Sequence, residues 1–121
     1  MDWTEAEINL RENITVNHRL NGDRSEYSIV LSVPPSPCNR SKQEGFRVQI
    51  GQKNVIPVSL DMLEKIFNKA QAKGGIYNNQ VFSALFPLKA ANKSCYIHVV
   101  GRLFHEAGVA TKIDSKNYRL I

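Results

Sequence analysis

Four side chains in this sequence, Cys38, Cys95, His98 and His105, could together hold a metal or supply an activated nucleophile with its base. Cys95 and His98 stand three apart and His105 seven further on, so on a helix all three share one side. Cys38 adds a possible fourth ligand from a proline-rich stretch. Structural zinc favours paired ligand motifs, usually with a Cys-x-x-Cys knuckle, and the sequence has no such knuckle. A metal site is therefore not expected. Cys95 with His98 is also the one local pair that could set a base beside a thiol, but no third group to orient it and no oxyanion hole are in view. The acids Asp23, Glu26, Glu44, Asp61, Glu64 and Asp114 are scattered, and none forms the Asp…Glu-x-Lys pattern of a metal-dependent nuclease. There is no Gly-x-x-x-x-Gly-Lys phosphate loop and no dinucleotide fingerprint. The sequence reads as a protein without catalysis or cofactor.

The basic residues carry more information. The net charge is +5, and its placement is uneven. Residues 1–57 hold seven Lys/Arg against seven Asp/Glu, whereas residues 58–121 hold nine against four, so the second half carries the whole excess. Such asymmetry suggests that one half meets a polyanion. The plainer reading is a solvated face that keeps the chain in solution. The series Lys65, Lys69, Lys73, at i, i+4 and i+8, reads in that plainer way.

At 121 residues, with 42% hydrophobic and 22% charged residues, the length suits one globular domain and the composition is not that of a disordered chain. No apolar run approaches the ~18 residues of a membrane span. The acids in Met1-Asp2-Trp3-Thr4-Glu5-Ala6-Glu7 do not suit a secretory signal, which leads to the expectation of an intracellular protein, in cytoplasm, nucleoid or nucleus.

The elements that must position these groups follow from periodicity. Residues 1–57 alternate with period two, as half-buried strands do. Ile14, Val16, His18 and Leu20 share one strand face, with His18 read as an edge or core histidine. Tyr27, Ile29, Leu31 and Val33 share the next. Asn21-Gly22-Asp23 supplies a tight hairpin between them. Pro34-Pro35-Ser36-Pro37 and the polar stretch to Glu44 form a loop, Phe46, Val48 and Ile50 alternate again, and residues 55–58 return after a turn at 51–54. The expectation is an antiparallel meander of about four strands, with Trp3 covering the sheet. At Ser59, a good N-cap, the period becomes helical through Leu60, Leu63, Ile66, Phe67 and Ala70 and stops at Gly74-Gly75. A second helix fits 79–86, ended by Pro87. A linker at 88–93 leads to a third helix, capped by Ser94 and terminated by Gly108. A hairpin then joins 110–113 to 118–121.

Three helices followed by a basic hairpin is the order of a winged helix. The stretch Tyr96-Ile97-His98-Val99-Val100-Gly101-Arg102-Leu103-Phe104-His105-Glu106-Ala107-Gly108-Val109 resembles the third helix of many winged-helix domains, in which a leucine and a Glu-Ala-Gly turn lead into the first wing strand. Asn117-Tyr118-Arg119-Leu120 resembles the strand that closes the wing. The resemblance covers residues 59–121, about half the chain. It implies duplex DNA as partner, with the third helix in the major groove, where base edges are distinguishable. It implies DNA contacts from Lys89, Asn92, Lys93, Ser94 and Tyr96 around the start of that helix and from His98 and Arg102 along it. Lys112, Ser115 and Lys116 on the wing would meet the backbone.

The sequence thus predicts an α+β fold: a β-rich segment over 1–57 and a winged-helix segment over 58–121, sharing one compact unit. The leading expectation is a non-enzymatic DNA-binding domain, the β segment serving as a docking or homodimerisation surface. Two alternatives stand beside it. One is a protein-interaction or dimerisation subunit on a winged-helix scaffold. The other is a DNA-targeting domain of a longer enzyme, which the ending at Ile121 permits.

Overall fold

Asp2 opens the fold. Its carboxylate accepts the backbone N–H of Glu5 at 2.9 Å, satisfying a first-turn donor, and α1 (Trp3–Asn13) follows with Ala6 and Leu10 buried. The computed structural model describes residues 1–20, 28–34, 44–51 and 54–121. No helix was expected at 3–13. Asp2 with Glu5 three residues on, followed by Ala6 and Leu10 at helical spacing, is its signal in the sequence.

The strand expected from residue 13 does not form. Ile14 and Leu20 are buried but Val16 is 49% exposed, because Asn17 takes a φ of +70° and turns the chain out of extension. Only an isolated bridge between Arg19 and Ile29 remains of the expected pairing, with the Leu20 N–H donating to the Ser28 carbonyl at 2.9 Å. The hairpin at Asn21-Gly22-Asp23, Tyr27 and most of the proline-rich loop, with Cys38, lie outside the described residues.

The first sheet is antiparallel in the order β1 (Ser28–Ser32), β2 (Gly45–Ile50), β3 (Asn54–Ser59), three strands where about four were expected. Phe46, Val48, Ile56 and Val58 point inward as their alternation predicts. In β1 the expected face is reversed. Ser28 and Val30 are buried while Leu31 is 39% exposed. Val30 lies opposite the buried Val48, and the register shifts between Val30 and Ser32, so packing on Val48 overrides the apolar content of the other face. Pro57 occupies β3, an edge strand, where a missing donor is tolerated.

The Ser59 hydroxyl accepts the Met62 N–H at 3.0 Å and starts α2 (Leu60–Ala72), which buries Leu60, Leu63, Ile66, Phe67 and Ala70. Gly74 and Gly75, at φ +78° and +80°, reverse the chain into β4 (Ile76–Tyr77). The Asn78 side chain caps α3 (Asn79–Leu85) by accepting the N–H groups of Gln80 and Val81. Pro87 ends that helix but also begins α4 (Pro87–Asn92), so the expected linker is helical. At a first helical position proline's missing N–H would have no intrahelical partner anyway.

Ser94 is not the side-chain cap expected of α5 (Cys95–Glu106). It already has helical angles, φ −59° and ψ −19°, and makes no capping bond. The helix starts instead through the Tyr96 and Ile97 N–H groups, which donate to the Lys93 and Ser94 carbonyls at 3.1 Å. Gly108, at φ +78°, terminates it, with the Val109 N–H donating to the Phe104 carbonyl at 2.8 Å. The hairpin of β5 (Ala110–Lys112) and β6 (Tyr118–Leu120) follows, and β4 joins it to give a second antiparallel sheet ordered β4-β6-β5. Two residues are too few to alternate visibly, so β4 left no periodic trace in the sequence.

Among the described residues the fold is mixed α+β, with five helices and two small antiparallel sheets. The expected order, strands first and helices after, holds only in part because α1 precedes the first sheet. Buried side chains from Ala6 to Tyr118 form one cluster. Its aromatic spine runs from Trp3 to Phe67 (5.7 Å between centroids), Phe104 (6.3 Å), Tyr77 (6.0 Å) and Tyr118 (6.2 Å). Trp3 thus packs on α2 and does not simply cover the sheet.

Candidate nucleic-acid interface

The ten residues singled out as DNA contacts fall into four places. Lys93 and Ser94 are exposed in the turn between α4 and α5, and Lys89 and Asn92 are exposed on α4. Lys89 Nζ lies 5.4 Å from the centre of the Tyr96 ring, within cation–π range. Helical geometry sets this up, because the short α4 lays its last turn across the start of α5.

Tyr96 itself is in the core. It is 6% exposed, and its ring stacks on Phe82 at 6.0 Å. Burial, with the neighbouring Cys95 thiol adding to it, pushes the Tyr96 hydroxyl above the ordinary tyrosine range. A ring packed on that side is not a base-reading group, so the assignment of Tyr96 as a direct contact is corrected: it props the helix start from beneath.

Arg102 is turned toward the first sheet. Its Nη1 donates to the Ser28 hydroxyl at 3.1 Å, and it borders a cleft of about 400 Å³ with Ser28, Ile50, Gly51, Cys95 and His98. No local pattern in the sequence marks the approach of β1 to this side of α5. Arg102 therefore joins the two halves, as does His18, whose Nε2 lies 3.8 Å from a Glu106 carboxylate oxygen. His98 and His105 are exposed on α5. Among the described residues no three His, Cys, Asp or Glu side chains gather as a metal site would need.

In the β5–β6 hairpin, Ser115 and Lys116 are exposed and Lys112 is half-buried. Asp114 organises this turn. Its Oδ1 accepts the N–H groups of Lys116 at 2.8 Å and Asn117 at 2.9 Å, and the Asn117 side chain donates to both carboxylate oxygens. The Lys116 N–H foremost, then the Asn117 amide, hold the Asp114 carboxyl below its ordinary value of 3.8. A carboxylate with a depressed folded value supports its turn above the unfolded value and loses that support as pH falls through the folded one. The Lys116 and Asn117 amide resonances are accordingly expected to titrate with a midpoint below 3.8. A midpoint at or above 3.8 in an NMR titration would contradict this geometry.

Two grooves border these elements. The larger, about 620 Å³, lies between the first sheet, α2 and α4, and is lined by Glu44, Arg47, Asp61, Phe86 and Lys89. Its acids and bases balance, so it offers no field for a polyanion. The smaller, about 310 Å³, is lined by Lys69, Lys73, Asn78 and Gln80 together with Ile76. Neither lysine was expected to belong to a site. A signal was present: from residue 65 to residue 105 the sequence contains no Asp or Glu, while Lys65, Lys69, Lys73, Lys89, Lys93 and Arg102 fall within it.

Among the described residues no helix is long and apolar enough to cross a membrane. No protein-family model, curated protein or solved structure matches the chain.

Proposed function

We propose that this chain is a non-enzymatic, duplex-DNA-binding domain of winged-helix type. The observation that carries the reading is the exposed pair Lys89 and Lys93 in a stretch free of acids from residue 65 to residue 105, with the exposed Lys116 beyond it in the β5–β6 turn. The arrangement of elements supports it. α2, β4, α3, α5, β5 and β6 occur in winged-helix order, with the short α4 inserted between α3 and α5, and the sheet order β4-β6-β5 sets the two hairpin strands against a third strand placed between α2 and α3. The contacts proposed are Lys89, Asn92, Lys93, Ser94 and His98 at the helix, and Lys112, Ser115 and Lys116 at the wing. Tyr96 and Arg102 act behind them, one under the helix start and the other on Ser28.

The test is fluorescence anisotropy with a random duplex across a salt series. Neutralising about five phosphates gives a log–log slope of roughly −4 to −5. Lys93→Ala/Lys116→Ala is expected to weaken binding and to make the slope shallower by about 2. No binding by the wild type at low salt would sink the reading.

One observation favours a second reading, a protein-interaction subunit: Leu88 on α4 is 77% exposed, beside the mixed-charge groove that Phe86 and Lys89 line. A large apolar side chain that open to water suits a partner surface. Sedimentation velocity separates the two readings, since self-association abolished by Leu88→Ser, with no duplex binding, is the result the second one requires.

A further inference from the structure

Lys69 and Lys73 line the smaller groove from the end of α2, together with Ile76 of β4 and with Val81 and Ala84 of α3. Arg119 on β6 is the direct partner of Ile76 across the second sheet. Directly paired residues of antiparallel strands project to the same face, with Cβ atoms about 4.5–5.5 Å apart. Arg119 is exposed and so lies beside Ile76 on the outer face of the second sheet, next to the groove that Ile76 lines. Three cations thus converge from two elements that are distant in sequence. The Gly74-Gly75 reversal produces the convergence, since the Gly75 N–H closes on the Ala70 carbonyl at 2.9 Å while its own carbonyl accepts the Leu120 N–H at 2.8 Å.

What balances these charges? No ion pair joins Lys69, Lys73 or Arg119 to a carboxylate among the described residues. Lys65, one turn earlier, is different, because its Nζ lies 3.3 Å from Asp61. The C-terminus of α2 attracts cations, but a helix end amounts to only about half an elementary charge. It does not offset three. Gln80 adds a neutral hydrogen-bonding side chain to the groove wall.

We infer that this groove is a second nucleic-acid contact, taking the phosphodiester backbone between Lys69, Lys73 and Arg119. The inference rests on the DNA-binding reading and adds to it a surface away from the α4–α5 turn. Bound DNA meets the domain on the outer side of the second sheet as well as at α5. The chemistry suits a phosphodiester track: point charges with neutral amide side chains beside them and no acid in the lining to repel the strand, while Ile76, Val81 and Ala84 make up the apolar part of the wall.

The experiment compares Lys69→Gln/Lys73→Gln with Lys65→Gln in the full chain, using the same random duplex and salt series. Arg119→Gln is a third, independent variant on the sheet side. The double variant is expected to lose affinity roughly 10- to 60-fold at 0.1 M salt and to make the slope shallower by about 2. Arg119→Gln is expected to remove about one contact's worth of slope, and Lys65→Gln to leave binding unchanged. Thermal melts confirm that each variant is folded. Duplex binding that survives both groove variants with an unchanged slope overturns the inference and leaves the α5 reading standing. Equal losses from Lys65→Gln and the double variant overturn it too, because net charge alone would then be responsible. No binding by the wild type overturns both. Flotation with vesicles of phosphatidylserine and phosphatidylcholine is the remaining arm, and vesicle binding lost with Lys69 and Lys73 but without duplex binding assigns the groove to a lipid surface instead.

Discussion

Phe104→Ala is expected to destabilise the protein by about 3–5 kcal/mol, the range for deleting a buried aromatic ring, and to lower Tm by roughly 10–15 °C for a chain of this length. Phe104 has no exposed surface. Its ring meets Phe67 of α2 at 6.3 Å and Tyr77 of β4 at 6.0 Å, edge-on to both. Removing it leaves a void between two elements that backbone movement cannot close, since Tyr77 is pinned by its hydroxyl, which donates to the Ile97 carbonyl at 2.7 Å. The measurement also tests whether the buried cluster behaves as one cooperative unit. Trp3, the single tryptophan, packs on Phe67 at the far end of the same spine, so its fluorescence reports the N-terminal side. Fluorescence and far-UV circular dichroism are expected to shift together. A fluorescence transition left in place while the dichroism midpoint falls would mean that α1 unfolds independently of the α2–α5 core.

What the sequence made legible divides along a physical line. α2, α3 and α5 were readable because each buries a broad stripe at helical spacing and ends on glycine or before proline. β2 and β3 were readable because one of their faces is buried and the other is not. The failures have separate causes. At residues 13–20 a chance alternation hid a turn, since the positive φ of Asn17 carries no periodic mark. In β1 a bulge and the opposing Val48 decided which face turned inward, and neither is a property of the strand's own sequence. Pro87 has two meanings at a helix boundary, and only the packing of Phe86 and Lys89 selects the second. For the candidate site, the lysine-rich elements were visible but their environment was not. Tyr96 looked like a helix-start contact until Phe82 was seen beneath it. The pairing of Ile76 with Arg119 joins residues far apart in sequence, and no local pattern encodes that closure. Arg102 was assigned outward because the approach of Ser28 is likewise non-local.

Gly101→Ala is expected to run against the usual sign of that substitution. In the middle of a helix, replacing glycine by alanine ordinarily gains up to about 1 kcal/mol. Here a Cβ on Gly101 would overlap the ring of Tyr118 on β6, which is itself 4% exposed and held between Tyr77 and His105. The ring has nowhere to go without lifting the second sheet off α5. Overpacking of this kind costs about 1–3 kcal/mol, so a net loss of stability is expected despite the better helix former. The second half of a double-mutant cycle makes the argument specific. In a Tyr118→Ala background the same change has room and is expected to regain its ordinary sign, giving a coupling of about 2 kcal/mol between the two positions. A stabilised single variant, or two changes that simply add, would show that β6 is not seated on Gly101. On the proposed DNA-binding reading the seat bears on binding as well: it fixes the β5–β6 turn at Lys116 relative to the start of α5 at Lys93, so Gly101→Ala is expected to weaken duplex binding at temperatures where the variant remains fully folded, without changing a single charge.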